Sequence, residues 1–225
     1  MKTEFNLSTE QLKVIERTEV YVKKTLQGDS SGHDWWHIER VRTMAVRLAE
    51  AEGANRFVVE LGALLHDIAD WKFHDGDPTI GGTRARQWLT KQGLDDAVCN
   101  DIGAIVSSVS FKGAGVKSEL ISLEGKVVQD ADRLDAIGAI GIARTFAYGG
   151  HFNRSMYDPD VAPEQHNTFE QYKNNNGTTI NHFYEKLLLL KGRLNTPAAR
   201  SIAHERHRFM EEFLERFFDE WKGRR

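Results

Sequence analysis

Apolar residues recur three and four positions apart along nearly the whole chain, and no stretch alternates apolar with polar long enough to make a strand. That regularity limits the chain to an all-α fold. Ser8 reads as the cap of a first helix carrying Leu12, Ile15, Val22 and Leu26, with Gly28 ending it. Asp34 reads as the cap of a second helix, carrying Ile38, Val41, Ala45 and Leu48 and stopping near Gly53. A third helix is expected from about Phe57 to Trp71, a fourth from Thr79 to Lys91 before Gly93, and a fifth from Asp95 to about Ser110. A sixth and a seventh read from Glu119 through Ala147, with Asp132 near their junction. From Gly149 to Thr178 the chain turns rich in Gly, Asn, Pro and Asp, the texture of a long loop such as a lid or binding loop. Two more helices are expected, about Thr179 to Lys191 and Pro197 to Trp221, the last with Thr196 as cap and Pro197 at its first position. The 225 residues read as a single domain: a helical core at about 33–148, the loop, and C-terminal helices at about 179–222.

Composition narrows the function classes. A formal net charge of −3 gives no global attraction to nucleic acid, although a local cation or metal can still hold a phosphate. No apolar run reaches the roughly 20 residues of a membrane span. The start, MKTEFNLSTEQLK, does not read as a signal peptide, and with Cys99 alone no intrachain disulfide forms. Both features fit a cytoplasmic protein. The sequons at Asn153 and Asn176 are read as chance.

Chemistry concentrates in His–Asp pairs. With 9 His and 15 Asp in 225 residues, random order gives roughly 0.6 such pairs, whereas three occur: His33-Asp34, His66-Asp67 and His74-Asp75. Asp34 is explained as a helix cap, and His74-Asp75 falls in a turn with Gly76, Asp77 and Pro78. His66-Asp67 differs, because it sits in the apolar run LGALLHDIAD, where an ionised Asp needs a partner or a cation. Asp70 lies four residues after His66, on the same face if the helix continues. His37 lies on the buried stripe of the second helix, with His33 one turn earlier. Farther on, Asp130, Asp132 and Asp135 interrupt the apolar KVVQDADRLDAIGAIGIAR.

The order His, His–Asp, distal Asp, with the flanks HDWWHIERV, LLHDIADW and KVVQDADRLDAIGAIGIARTF, resembles the HD superfamily of metal-dependent phosphohydrolases, and within it a subgroup of small bacterial nucleotide pyrophosphohydrolases. The resemblance covers roughly residues 33 to 148. It implies a helical HD core and the metal ligands His37, His66, Asp67 and Asp132. It further implies hydrolysis of a nucleotide, a nucleoside triphosphate going to monophosphate and pyrophosphate. A 5′-nucleotidase, a phosphodiesterase or a non-catalytic nucleotide sensor would use the same ligands.

Two imidazoles and two carboxylates suit one divalent ion, with Mn²⁺ favoured and Mg²⁺, Co²⁺, Fe²⁺ or Ni²⁺ as alternatives. Two-metal members of the superfamily carry additional histidines between the His–Asp pair and the last Asp. Here only His74 lies in that interval, so one metal is expected. Asp70 is the expected catalytic group that steers the proton of the attacking water. His33, Arg40, Arg133, Arg144 and Lys186 are the candidates to meet phosphate charge. His151 and Tyr157 are conceivable loop contacts. The Phe-rich stripe of the last helix reads as a core face, with a homodimer contact as its alternative, and His204 and His207 are read as structural.

Overall fold

The computed structural model describes residues 6–27, 34–69, 79–109, 122–164 and 177–225. Among these the chain is all-α, with nine helices, one 3₁₀ segment and no strand. The helices are α1 Thr9–Thr25, α2 Trp35–Glu52, α3 Arg56–Leu65, α4 Ile80–Lys91, α5 Asp96–Val109, α6 Leu123–Asp135, α7 Gly138–His151, α8 Asn181–Glu185 and α9 Pro197–Trp221; the 3₁₀ segment is Leu187–Arg193. None is long and apolar enough to cross a membrane. Two compact units are distinguished, one running to Asp132 and one from Arg133 to Arg225, the division falling within α6.

Local chemistry explains the helix starts of the first unit. Ser8 and Gln11 form a reciprocal capping box on α1. The Asp34 carboxylate accepts from the His37 amide at 3.0 Å, and Asn55 Oδ1 accepts from the Phe57 and Val58 amides. Between α2 and α3, Gly53 adopts φ +74°, the left-handed conformation that ends a helix at little cost for glycine.

The centre of this unit is α3. Val59, Leu61, Ala63, Leu64 and Leu65 are fully buried, so the helix is covered on all sides. Each of its buried leucines contributes about 1.5–3 kcal/mol of apolar burial. Around it pack Val14, Ile15 and Val22 of α1, Ile38 of α2, Ala85 and Leu89 of α4, and Cys99, Ile102 and Val106 of α5. Helices α4 and α5 meet at glycines: a Cβ on Gly82 would lie 2.5 Å from the Gly103 carbonyl oxygen.

One polar group is buried in this apolar helix. Glu60 is 3% exposed, and its Oε1 accepts from Nε and Nη2 of Arg42 on α2 at 2.9 and 2.7 Å. Its Oε2 accepts from Arg56 at 3.2 Å, and Arg42 Nη1 also donates to Glu19 of α1 at 2.8 Å. Burial acts against both charges, but the hydrogen bonds prevail: Arg42 is held above its ordinary pKa by Glu60 and Glu19, and Glu19 below its own by Lys23 and Arg42.

Two expected boundaries differ. The third helix ends at Leu65 rather than near Trp71; His66 to Ala69 form a turn in which the Ile68 amide donates to the Leu65 carbonyl at 3.1 Å. The physical reason is local: the Ala63 carbonyl, which a continuing α-helix would offer to the amide of Asp67, accepts the ring N–H of His66 at 2.7 Å. The helix expected over Thr179–Lys191 is interrupted at Lys186 (φ −139°, ψ −59°), giving α8 and the 3₁₀ segment. A 3₁₀ turn has three residues, so Leu187 and Leu190 eclipse on one face, and both are buried.

The expected loop also starts later, because α7 continues through Gly149 to His151. Its described part is tied back within the second unit: the amides of Thr179 and Ile180 donate to the carbonyls of Ser155 and Met156, each at 3.0 Å. In that unit Phe146, Phe183 and Phe213 form a cluster with ring centroids 5.8–6.2 Å apart, and Tyr157 meets Phe217, Phe218 and Trp221 edge-on. The apolar face of α9 thus packs inside its own unit, although Phe209 stays exposed.

Candidate metal centre

His37 sits in the first turn of α2, His66 and Asp67 in the turn after α3, and Asp132 in the last turn of α6. All four belong to the first unit. The side-chain donor atoms of His37, His66 and Asp132 lie within 4.8 Å of one another, close enough to share a metal ion. The two Nε2 atoms are 3.2 Å apart. Asp67 Oδ2 is 3.3 Å from His37 Nε2 and 3.5 Å from His66 Nε2. Asp132 Oδ1 is 3.5 Å from the first and 3.9 Å from the second.

This arrangement fits a cation. The His37 side chain is fully buried, that of His66 is 1% exposed and that of Asp67 11%. Asp132 is 27% exposed, but Asp67 loses most of its hydration, a cost that a shared cation offsets. The Ala63 carbonyl can only accept, so His66 Nδ1 carries a hydrogen and, in the neutral ring, Nε2 presents its lone pair to the cluster. Two donors each about 2.1 Å from one ion and roughly 90–120° apart stand about 3.0–3.6 Å from each other. Four of the pairwise separations among these atoms fall at 3.2–3.5 Å. A set of two nitrogens and two oxygens, without thiolate, suits the borderline-to-hard divalent ions.

The other candidates separate by position. His33, Asp70 and His74 lie outside the described residues. Arg40 is on α2, one turn past His37, and is half-buried. Arg133, Arg144 and Lys186 belong to the second unit. There Arg144 donates to Asp135 at 2.7 Å, and Arg133 donates to the Arg193 carbonyl. Asp130 is fully buried and Asp135 nearly so, which leaves Asp132, at 27% side-chain exposure, as the member of that acidic trio in the cluster. His151 is exposed, and Tyr157 packs against α9. His204 is exposed while His207 is buried with Glu211 Oε1 3.3 Å from its Nε2, a carboxylate partner four residues on that the sequence reading overlooked. It also passed over Glu60, whose signal was available: one Glu in the apolar run RFVVELGALL, four residues after Arg56.

The HD domain family matches residues 35–137. The uncharacterized protein YpgQ of Bacillus subtilis (strain 168) is 37% identical over 205 residues, covering 91% of this chain and 92% of that protein. Among solved structures, a Lactobacillus plantarum protein superimposes with a TM-score of 0.84 at 41% identity, covering 97% of this chain and all of the other. An HD-superfamily hydrolase from Bacillus thuringiensis gives 0.73 at 45% identity, over 95% of this chain and 99% of its own. YpgQ in complex with ADP gives 0.75 at 34% identity, over 94% and 97%.

Proposed function

From the premise that this chain belongs to the HD-domain family, we propose that it is a metal-dependent phosphohydrolase acting on nucleotides, with His37, His66, Asp67 and Asp132 as the ligands of one divalent ion. The observation that carries this reading is the convergence of two imidazole nitrogens, 3.2 Å apart, and two carboxylates, each 3.3–3.9 Å from both nitrogens, in a largely buried place. The favoured reaction is cleavage of a nucleoside triphosphate to monophosphate and pyrophosphate. The ADP complex of YpgQ supports a nucleotide as ligand, and the subgroup resemblance supports the bond cleaved.

A divalent ion held there would supply Lewis acidity toward a phosphoryl oxygen and toward water. The chain supplies the rest. The Ala63 carbonyl fixes the His66 tautomer, so the neutral ring turns the Nε2 lone pair to the cluster. Asp67 and Asp132 bring two negative charges, which keep the site selective for a cation. Asp70, just beyond the turn that carries Asp67, is assigned the proton of the attacking water. Arg40, on the same helix and in the same unit as His37, is the leading group to meet phosphate charge, with His33 as a further contributor.

The test is a nucleotide panel with Mn²⁺, separating pyrophosphate from phosphate among the products. Pyrophosphate release from a triphosphate supports the favoured reaction. Phosphate release would make the protein a nucleotidase of the same site. Tight nucleotide binding without turnover, in protein shown to hold metal, would make it a sensor and overturn the enzymatic reading.

A further inference from the structure

Gly62 lies on α3 one helical turn before His66, and Val128 lies on α6 one turn before Asp132. The two residues face each other. A Cβ built on Gly62 would stand 3.3 Å from Val128 Cγ2, tight enough that Val128 must give by a few tenths of an ångström, and 3.4 Å from Ile105 Cγ2 of α5, at the limit of ordinary contact. Val128 is fully buried and Ile105 is 3% exposed. Gln129, also fully buried, ties α5 to α6, because its Nε2 donates to the carbonyls of Ser108 and Val109 at 3.3 and 3.4 Å. A methyl on residue 62 would therefore press on Val128 of α6, with Ile105 of α5 already in contact behind it.

We infer that Gly62 is a positioning residue: its missing side chain sets the separation of α3 and α6 one turn before the two ligands those segments carry. This rests on the metal-site reading above. The His66–Asp132 separation, 3.9 Å, is already the widest pair measured in the cluster. Metal–ligand distances tolerate about 0.2 Å, so a retreat of α6 by a few tenths takes Asp132 out of range. Glycine in a helix interior is otherwise a disadvantage, since alanine holds a helix better. Its place here, with ordinary helical φ and no turn to make, is accounted for by the close approach.

The experiment titrates metal-free protein with Mn²⁺ alone by calorimetry and measures the melting temperature in chelator. Gly62→Ala is expected to bind Mn²⁺ about tenfold more weakly, the scale seen when the support of a ligand is disturbed. Its metal-free melting temperature stays close to that of the wild type, because better helix propensity offsets the tighter contact. Gly62→Ala/Val128→Ala is expected to recover Mn²⁺ affinity while melting lower, since it truncates a buried valine. A purely structural Gly62 would make affinity follow stability, with the double variant worst in both. Unchanged affinity in Gly62→Ala, or no recovery in the double variant, overturns the inference. If Gly62→Ala does not fold, the double variant decides: affinity near wild type supports the inference and weakened affinity overturns it. Wild-type protein that binds no divalent ion would instead refute the metal-site reading itself.

Discussion

Replacing Glu60 by Gln tests how α1, α2 and α3 are held together. The carboxylate is 4% exposed at its side chain and accepts three hydrogen bonds from two arginines, at 2.7, 2.9 and 3.2 Å. Gln keeps the shape but removes the charge and turns one acceptor into a donor facing a guanidinium. Losing one partner of a buried ion pair costs about 3–5 kcal/mol. Here Arg42 keeps Glu19 at 2.8 Å and is 19% exposed, which places the expected loss at the low end, about 3 kcal/mol. For a chain of this size each kcal/mol moves the melting temperature by about 2–4 °C, so a drop of roughly 6–12 °C is expected in a thermal scan followed by circular dichroism. Replacing both partners by apolar residues, Glu60→Leu with Arg42→Met, should recover much of that loss, because no buried charge is left alone. A shift below about 2 °C in Glu60→Gln, or a double variant that loses the sum of its singles, would refute the reasoning.

Gly82→Ala should destabilise by about 1–3 kcal/mol in urea titration, because its Cβ would press on the Gly103 backbone, which no rotamer change relieves. The Glu19 pKa is lowered in the folded chain, so between its folded value and 4.5 the unfolded chain binds more protons; the stability it contributes is complete above about pH 4.5 and lost as pH falls below it, visible as a falling urea midpoint. Glu19→Gln should flatten that part of the profile. Asp70→Asn should cut nucleotide turnover about 10²-fold or more while Mn²⁺ binding persists; equal loss of both would make Asp70 a ligand instead.

Much of this architecture was legible from helical spacing. The caps at Ser8, Asp34 and Thr196 and the glycine stop at Gly53 rest on chemistry within a few residues, and each has its side-chain or left-handed geometry in the structure. The four residues singled out by order and resemblance, His37, His66, Asp67 and Asp132, lie side by side. What sequence could not supply was set by contacts distant in the chain or by competition for one carbonyl. The end of α3 at Leu65 depends on the His66 ring reaching Ala63. The run LLLLKGR reads as ordinary helix, and only its burial pattern shows why a three-residue turn suits Leu187 and Leu190. Arg42 looks like any surface arginine until Glu60 and Glu19 are found on two other helices.

The most direct test of the central claim is the metal content of wild type and Asp132→Ala after equilibration with Mn²⁺ and gel filtration. One ion per wild-type chain and almost none in the variant are expected, with the helical circular dichroism of both alike. Wild-type protein without metal, or Asp132→Ala retaining a full equivalent, would contradict the claim.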